Sequence, residues 1–252
     1  MKRTANVLKN IRAAIRAGRA LYWALLDPDD FSCEQAAHIS GGAEDCGVNA
    51  ILIGGSLLHT NRFDEFVLAV KESVTVPVIL FPGDAGQLSA HADAVLFLSL
   101  ISGRNPVNLI AEQVKGAPLI KKLGIEPIST AYMLVESGAV SSVEFMSNTR
   151  PLPRAKPQIA AAHALAASYM GMSLIYLEAG SGAPQSVPPA IIRAVRGYVD
   201  IPIICGGGIR DAKTAREKIR AGANIIVTGN LLREKNGVRV MKDIAAAVSS
   251  RR

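Results

Sequence analysis

The sequence predicts a single domain, residues 1–252, folded as a (β/α)8 TIM barrel with an extra N-terminal helix. Three observations support this α/β fold class. The length of 252 residues matches the ~250 residues typical of such a barrel. Short apolar segments alternate with helical patterns along the chain. A glycine run, Gly206–Gly208, follows a late apolar segment, where barrels of this class bind phosphate.

An open, doubly wound sheet is the alternative architecture. Such a sheet normally carries its phosphate-binding turn after the first strand. Here the first apolar segment ends in Asp27-Pro28 instead of a glycine turn, and the glycine run comes late in the chain. The order of the motifs therefore favours the closed barrel. A simple tight turn without a ligand remains the alternative for Gly206–Gly208.

Composition narrows the possible function classes. Hydrophobic residues make up 49% of the chain, yet no apolar run approaches the ~20 residues that cross a bilayer. The start of the sequence lacks the apolar core of a signal peptide, so we expect a cytoplasmic protein. The net charge is +7, but the basic residues are scattered and aromatics are only 5%, which argues against nucleic acid. A positive field also attracts phosphorylated substrates or an anionic membrane surface. The three cysteines lack metal-binding spacing.

The elements follow from hydrophobic periodicity. Residues 4–17 place Val7, Leu8, Ile11 and Ile15 on one helical face before Gly18, which predicts a helix that closes the bottom of the barrel or flanks it. Predicted strands are 20–26, 49–53, 76–81, 92–98, 125–133, 172–177, 201–205 and 224–228. Predicted helices are 33–46, 61–73, one from Pro106, 155–170 and one from Asp211, and we expect eight complete βα units. The long segment 134–155 is predicted to be an irregular lid or an oligomer contact.

Two residues near the first strand ends are candidate metal ligands. Asp27 is the last residue of its strand and would face the catalytic rim, where Mg²⁺ takes one or two carboxylates together with substrate phosphate oxygens. For Asp29 and Asp30 a turn or helix-capping role is favoured. Ser56 follows Gly54-Gly55 and could bind a phosphate, ligate a metal or serve as a loop hydroxyl.

The late strand ends carry the remaining candidates. The sixth strand ends in Tyr176-Leu177-Glu178-Ala179-Gly180-Ser181-Gly182, where Glu178 would act as a base and the glycines would accommodate a phosphate. Gly207-Gly208 and Gly229-Asn230 follow the seventh and eighth strands. No Gly-x-Ser-x-Gly elbow and no zinc-type cluster accompanies them. These residues predict chemistry on a phosphorylated substrate, either isomerisation or displacement of diphosphate.

The same motifs resemble a known family, the geranylgeranylglyceryl phosphate synthases, which also contains bacterial heptaprenylglyceryl phosphate synthases. The resemblance covers nearly the whole chain, and the segment from Tyr176 to Gly182 is its most specific part. The other matching motifs are Leu26-Asp27-Pro28-Asp29, Ile53-Gly54-Gly55-Ser56, Phe81-Pro82-Gly83, Met146-Ser147-Asn148-Thr149, Gly206-Gly207-Gly208-Ile209 and Gly229-Asn230. The Met146–Thr149 motif, followed by Pro151 and Pro153, looks like the second group of the family, whose members are often hexamers.

The resemblance implies an enzyme that joins sn-glycerol 1-phosphate to a prenyl diphosphate as an ether and releases diphosphate. It further implies that Asp27 and Ser56 hold Mg²⁺ on the diphosphate, and that Tyr176–Gly182, Gly207-Gly208 and Gly229-Asn230 hold glycerol phosphate. Glu178 would take the proton of the attacking hydroxyl. An apolar groove bordered by the second to fourth strands, with Phe97 and Tyr132, would take the prenyl chain. The resemblance also implies a homo-oligomer, and peripheral contact with a membrane is compatible with the basic charge.

Asp30 departs from the family pattern. Family members commonly have a lysine after Asp-Pro-Asp, where this chain has Asp30, and one group has a lysine where this chain has Leu25. A different basic residue could therefore hold the diphosphate, with Arg104, Lys121, Arg150 and Arg210 as candidates, and for each of them a plain surface charge is the favoured alternative. A phosphosugar isomerase and a non-catalytic phospholipid-binding scaffold remain the alternative functions.

Overall fold

The computed structural model, which describes residues 6–234 and 236–249, is a closed barrel of eight parallel strands in sequence order. The strands are β1 (Leu21–Leu26), β2 (Ala50–Ile53), β3 (Val78–Leu80), β4 (Ala94–Leu100), β5 (Glu126–Leu134), β6 (Leu174–Glu178), β7 (Ile203–Gly206) and β8 (Ile225–Thr228). The helices are α1 (Val7–Arg16), α2 (Cys33–Asp45), α3 (Phe63–Ser73), α4 (Glu112–Leu123), α5 (Ser142–Ser147), α6 (Pro157–Tyr169), α7 (Pro189–Arg196), α8 (Ala212–Ala221) and α9 (Gly237–Ser249). Pairing of β1 with β8 closes the barrel and confirms the predicted fold.

Alternation along the strands divides the core into two layers. Trp23, Leu52 and Leu96 point into the barrel, where they pack against one another. Their neighbours Ile51 and Val95 point outward and pack against the surrounding helices. Because successive side chains of a strand face opposite sides, each strand contributes to both layers. The same alternation decides which residues reach the open end of the barrel.

The N-terminal helix closes the bottom of the barrel. Val7, Ile11 and Ala14 of α1 are buried in the interior layer. The backbone N–H groups of Val7 and Leu8 donate to the carboxylate of Glu126, the first residue of β5, at 2.7 and 3.1 Å. A carboxylate at a helix N-terminus satisfies free N–H groups and the helix dipole. This confirms the prediction that the helix closes the bottom of the barrel. Residues 4 and 5 of the predicted helix lie outside the described residues.

The third βα unit has no helix, although the sequence predicted eight complete βα units. Residues 81–93 connect β3 to β4 without a helix. The helix predicted from Pro106 begins as a π-helical turn, Val107–Ala111, and continues as α4. The sequence did not reveal that this helix is absent. The three residues of β3, followed by Pro82-Gly83, are too few to show or to exclude a helical repeat of apolar residues. A surface of the barrel that a helix would normally cover is left available beside β3 and β4.

The segment 134–155, expected to be irregular, contains ordered structure. It includes α5, whose N-cap Ser141 accepts the backbone N–H of Glu144 at 3.2 Å, and a parallel bridge between Val135 and Leu152. Asn148 ends α5 in the left-handed conformation, with φ of 48°. Short elements of this kind lie below the length at which periodicity identifies them. The segment is therefore an ordered cap on one side of the open end.

Strand boundaries differ from the predicted ones by at most two residues. The largest shifts are in β4, which runs to Leu100 instead of 98, and in β3, which is reduced to three residues. All seven residues of β4 pair with β5, so the partner strand extends the pairing beyond the apolar run. None of the helices within the described residues is long and apolar enough to cross a membrane.

Candidate functional site

A cavity of about 720 Å³ opens at the carboxyl ends of the strands. It brings together most of the predicted site residues, although they come from five different strand ends. Those lining it are Asp27, Ser56, Tyr176, Glu178, Gly180, Ser181, Gly182, Gly207, Gly208, Gly229 and Asn230. This is the face on which barrels of this class build their active sites.

Leu177 and Ala179 are the two predicted residues that do not line the cavity. Both are fully or almost fully buried in the layer between strands and helices. Alternation along β6 requires this, since Tyr176 and Glu178 on either side point inward. Their side chains therefore cannot touch a ligand in the cavity, and any contact would use backbone atoms alone.

Glu178 is the buried titratable group of the site. Its Oε1 accepts the backbone N–H of Gly180 at 2.6 Å. Burial raises the pKa of Glu178 from 4.5 to about 7, and the hydrogen bond from Gly180 opposes this effect. A carboxyl group with a pKa near neutrality exchanges protons readily at physiological pH, as a general base must.

The glycine turn after β7 leaves room for this carboxyl group. A β-carbon on Gly206 would lie 2.6 Å from Glu178 Oε2, and one on Gly207 would lie 2.3 Å from Oε1. Gly207 and Gly208 also have φ values of +79° and +67°, which residues other than glycine rarely adopt. Glycine is thus required here both by the backbone conformation and by the adjacent Glu178.

Three aromatic rings form the floor of the cavity. Phe81 stacks on Tyr176 with ring centroids 5.1 Å apart, and Tyr132 contacts both rings at 5.8 and 5.4 Å. The Tyr176 hydroxyl is fully buried, and a side-chain hydrogen bond with Glu178, outside strict hydrogen-bond geometry, contributes to the pKa of both groups. Burial, followed by the charge of Glu178, raises the pKa of Tyr176, so its hydroxyl stays protonated. As a donor it can therefore serve either Glu178 or a polar ligand in the cavity.

The loops after β6, β7 and β8 meet on one side of the cavity. The Ser181 hydroxyl donates to the Asn230 side-chain oxygen at 3.1 Å. Arg210 donates to the carbonyl oxygens of Gly182 and Ala183 at 3.0 and 2.8 Å. This surface combines positive-φ glycines, a hydroxyl, an amide and a guanidinium, which suits a phosphate. We refer to these loops, Gly180–Gly182, Gly207–Arg210 and Gly229-Asn230, as the glycine cradle.

Asp27 follows β1, the strand that pairs with β8. Burial raises its pKa, whereas the N–H of Asp29, which donates to Asp27 Oδ1 at 3.1 Å, acts in the other direction. A β-carbon on Gly55 would approach Asp27 Oδ2 to 2.9 Å, so the end of β2 with Ser56 is adjacent to this carboxylate. Within the described ranges no three His, Cys, Asp or Glu side chains cluster as a complete metal cage. One carboxylate and a nearby hydroxyl fit Mg²⁺ that also binds water and substrate phosphate.

The neighbouring acidic residues have structural roles, but not the predicted helix cap. Asp29 accepts the backbone N–H groups of His59 and Thr60 at 2.8 and 2.9 Å and so connects two loops. Asp30 forms an ion pair with Arg233. The N-cap of α2 is Ser32, which forms a capping box with Gln35. The Ser-x-x-Gln spacing was the sequence signal for this cap.

A second cavity of about 320 Å³ adjoins the first. It occupies the place of the missing third helix, between residues 81–88, β4 and the start of α4. Phe97 and Tyr132, both expected at an apolar groove, line it, and most of the remaining lining is also apolar. Ser56, Phe81 and Tyr132 line both cavities. We call this second cavity the apolar groove.

Two polar residues in these cavities were not identified from the sequence. Gln113 lies in the wall of the apolar groove, where its amide donates to the carbonyl oxygens of Leu98 and Asn108. Arg233 lines the main cavity next to Asp30. Its position three residues after Gly229-Asn230, just beyond a strand end, was the available signal. Of the predicted basic residues, Arg210 lines the main cavity, while Arg104, Lys121 and Arg150 line neither cavity.

Comparison with known proteins shows a family relationship that covers nearly the full chain. The family model described as "PcrB family" matches residues 14–248. The chain is 47% identical over 224 residues to geranylgeranylglyceryl phosphate synthase of Thermococcus kodakarensis, covering 88% of each protein. It is 44% identical over 239 residues to the synthase of that name from Pyrococcus abyssi, covering 94% of each.

Solved structures of the same family have the same fold as this chain. The chain superposes with a TM-score of 0.93 on (S)-3-O-geranylgeranylglyceryl phosphate synthase from Thermoplasma acidophilum, in complex with its substrate sn-glycerol-1-phosphate. That pair is 34% identical and the superposition covers 97% of this chain and 99% of the other. An N-acetylmannosamine-6-phosphate 2-epimerase from Clostridium perfringens, 14% identical with a TM-score of 0.55 over 84% of this chain and 86% of that chain, shares the fold alone.

Proposed function

The chain belongs to the PcrB family, and we propose that it is a prenyltransferase acting on sn-glycerol 1-phosphate and geranylgeranyl diphosphate. The reaction forms an ether bond and releases diphosphate, as a step of ether phospholipid synthesis. One observation carries the proposal beyond the family membership. A single cavity contains a glycine cradle and the Glu178 carboxylate, and it adjoins an apolar groove.

We assign glycerol phosphate to the glycine cradle. Ser181, Asn230 and the positive-φ glycines offer hydrogen-bond donors, and Arg210 adds a positive charge. The backbone atoms of Leu177 and Ala179 are the only parts of those two residues available to this assignment. Fixing the phosphate group selects which hydroxyl of the glycerol reaches Glu178, which is how the site would distinguish stereoisomers.

We assign the prenyl chain to the apolar groove. The groove is lined by aliphatic and aromatic side chains, including Phe97 and Val95, and it meets the main cavity at Phe81 and Tyr132. A prenyl chain lying in it would present its diphosphate end toward Asp27. Burial of the chain against these side chains would provide binding free energy of roughly 25 cal/mol for each Å² removed from water.

The chemistry assigned to Glu178 is proton abstraction. The glycerol hydroxyl attacks the first carbon of the prenyl chain, and a carbon–oxygen bond forms there. The bond from that carbon to the diphosphate breaks, and the diphosphate leaves with the electron pair. Glu178 takes the hydroxyl proton, for which its pKa of about 7 is suited.

We propose that Asp27 and Ser56 hold Mg²⁺. When bound, the ion would neutralise charge on the leaving diphosphate. Asp27 is half-buried and forms no salt bridge with another described residue, so its carboxylate can take a cation. Ser56 offers a hydroxyl at the adjacent strand end.

Two further proposals concern partners. The rim of the main cavity exposes Leu57, Val140 and Phe145, the last with 78% of its surface accessible, which favours peripheral contact with a membrane that supplies the donor. A homo-oligomer, hexameric as in much of the second group, and a cytoplasmic location stay predictions. Analytical ultracentrifugation and vesicle sedimentation would test the oligomer and the membrane contact.

The decisive test is a paired turnover assay. One reaction contains sn-glycerol 1-phosphate, geranylgeranyl diphosphate and Mg²⁺, and the other contains sn-glycerol 3-phosphate in its place. Each has a control with EDTA, and the lipid-extractable ether is quantified. We expect product from the 1-phosphate alone, and its loss with EDTA. Failure of both reactions, also with longer prenyl diphosphates, would exclude this function and favour the phosphosugar isomerase or the scaffold.

A further inference from the structure

Two basic side chains line the main cavity. Within the described residues these are Arg210, which follows β7, and Arg233, which ends the short 3-10 helix after β8. Arg210 is held by the carbonyl oxygens of Gly182 and Ala183, and therefore lies beside the glycine cradle. Arg233 contacts Asp30 instead, on the loop that follows β1 and carries Asp27.

The two anionic groups of the proposed reaction need separate positive charges. A phosphate and a diphosphate bound in one cavity repel each other unless each is matched by a cation or by N–H donors. The glycine cradle with Arg210 supplies this for the phosphate. On the Asp27 side, Arg233 is the only basic side chain that lines the cavity in the described part of the chain.

Arg233 is suited to exchange Asp30 for another anionic partner. The side chain of Arg233 is 51% exposed, and that of Asp30 is 21% exposed. A solvent-exposed ion pair of this kind contributes little to stability, so a diphosphate can replace the carboxylate as the partner of the guanidinium. A guanidinium binds two oxygens of a phosphate at once, as it does those of a carboxylate, and a diphosphate carries more negative charge than the single carboxylate of Asp30.

We propose that Arg233 binds the diphosphate of the prenyl donor, and that Asp30 holds the Arg233 guanidinium at the cavity edge while the donor is absent. This inference rests on the proposed function. Arg233 acts at the donor and not at the glycerol phosphate, because it contacts the β1 loop and not the carbonyl groups that hold Arg210. Asp30 is then a positioning residue, and Asp27 is left as the carboxylate available to the metal.

Kinetics of three variants test this division. In Arg233→Gln the KM for geranylgeranyl diphosphate should rise ~10- to 100-fold, the loss expected for a charge-assisted hydrogen bond. The KM for sn-glycerol 1-phosphate should change by less than about twofold. Arg233→Lys should recover much of the donor KM, because it retains the charge. Arg216→Gln removes the same charge from an exposed position on α8 outside the cavity and should change neither KM.

A relocated charge tests the position itself. Because Asp30 and Arg233 touch, Asp30→Lys in the Arg233→Gln background puts a cation at nearly the same place and should lower the donor KM again. Asp30→Asn alone should leave the donor KM equal or lower and the Mg²⁺ requirement unchanged. A higher Mg²⁺ requirement in Asp30→Asn would make Asp30 a metal ligand and overturn its assignment as a positioning residue.

Calorimetric titration with inorganic pyrophosphate and Mg²⁺ provides a reading that does not depend on turnover. Pyrophosphate should bind at least about tenfold more weakly to Arg233→Gln than to the wild-type protein. Equal pyrophosphate affinity, or a loss confined to glycerol phosphate, would overturn the inference. If the wild-type protein made no ether at all, the proposed function would fail, while this titration would still decide whether Arg233 binds a diphosphate.

Discussion

Glu178 lies directly against Gly207: a β-carbon at residue 207 would come within 2.3 Å of the Glu178 Oε1 atom. The glycine turn after β7 and the carboxyl group at the end of β6 therefore form one unit. A side chain added at residue 207 would displace the Glu178 carboxyl group, which the N–H of Gly180 holds at 2.6 Å.

Substitution of Gly207 by alanine tests this unit. The φ of +79° disfavours alanine, and the new methyl group would overlap the Glu178 carboxylate. We expect the free energy of unfolding to fall by about 2 kcal/mol and kcat to fall at least ~100-fold. Denaturant titration and turnover assays measure the two effects. Gly42→Ala is the matched control, because open space surrounds that helical glycine, and it should raise stability by about 0.5–1 kcal/mol.

Replacement of Glu178 by glutamine should remove the base while preserving the shape of the side chain. We expect kcat to fall by a factor of about 10² to 10⁴, with small changes in either KM. In the wild-type protein kcat/KM should rise as pH increases through about 7, because only the ionised carboxylate accepts a proton. A wild-type pH profile that is flat between pH 5 and 8 would assign the proton transfer to another group.

The contribution of Glu178 to stability should fall as pH rises, whereas its contribution to activity should increase. The pKa of Glu178 is raised by burial from 4.5 to about 7, so the folded protein favours the protonated form. This contribution is fully present below pH 4.5 and is lost as pH rises to 7 and above, by about 3 kcal/mol. Glu178→Gln should therefore be more stable than the wild-type protein at pH 8 and similar to it at pH 5. Equal stability at both pH values would contradict the raised pKa.

Asp27 and Asp29 allow a comparison within one loop. Asp27→Asn removes the proposed metal ligand, so activity should fall ~100-fold or more and the Mg²⁺ concentration for half-maximal rate should rise. Asp29 holds the N–H groups of His59 and Thr60 instead. Asp29→Asn should lower stability by about 1 kcal/mol without changing the Mg²⁺ dependence. Identical Mg²⁺ curves for Asp27→Asn and the wild-type protein would exclude Asp27 as a ligand.

The apolar groove can be shortened at Gly116. This glycine of α4 lines the groove, and its β-carbon position lies 3.8–3.9 Å from Ala85, Ile120 and Leu88. Gly116→Phe should fill the groove and reduce turnover of geranylgeranyl diphosphate at least ~10-fold more than that of a shorter prenyl diphosphate. Gly116→Ala fits the same space and is the control. Equal loss with long and short donors would mean that the chain lies elsewhere.

Several parts of the site follow from local sequence patterns. Glu178 and the glycines after it end a short apolar segment, and alternation along that segment is enough to point Glu178 into the barrel. The same alternation excludes the Leu177 side chain, which the prediction included. The Ser32 cap of α2 was likewise readable from its spacing to Gln35.

Other parts depend on residues far apart in the chain. Arg233 meets Asp30 because β1 pairs with β8, a contact that no local pattern encodes. The apolar groove exists because residues 81–93 form no helix, and the shape of that gap depends on how α4 and β4 pack around it.

By itself, the sequence determined the barrel, and it predicted the face that carries the site with Glu178, Asp27 and the glycines of the cradle as candidates. These depend on strand periodicity and on glycine chemistry, both of which act over a few neighbouring residues. Only the tertiary structure decided the raised pKa of Glu178, the location of the groove and the pairing of Arg233 with Asp30. Those properties arise from burial and from contacts between distant strand ends, which form only when the barrel closes.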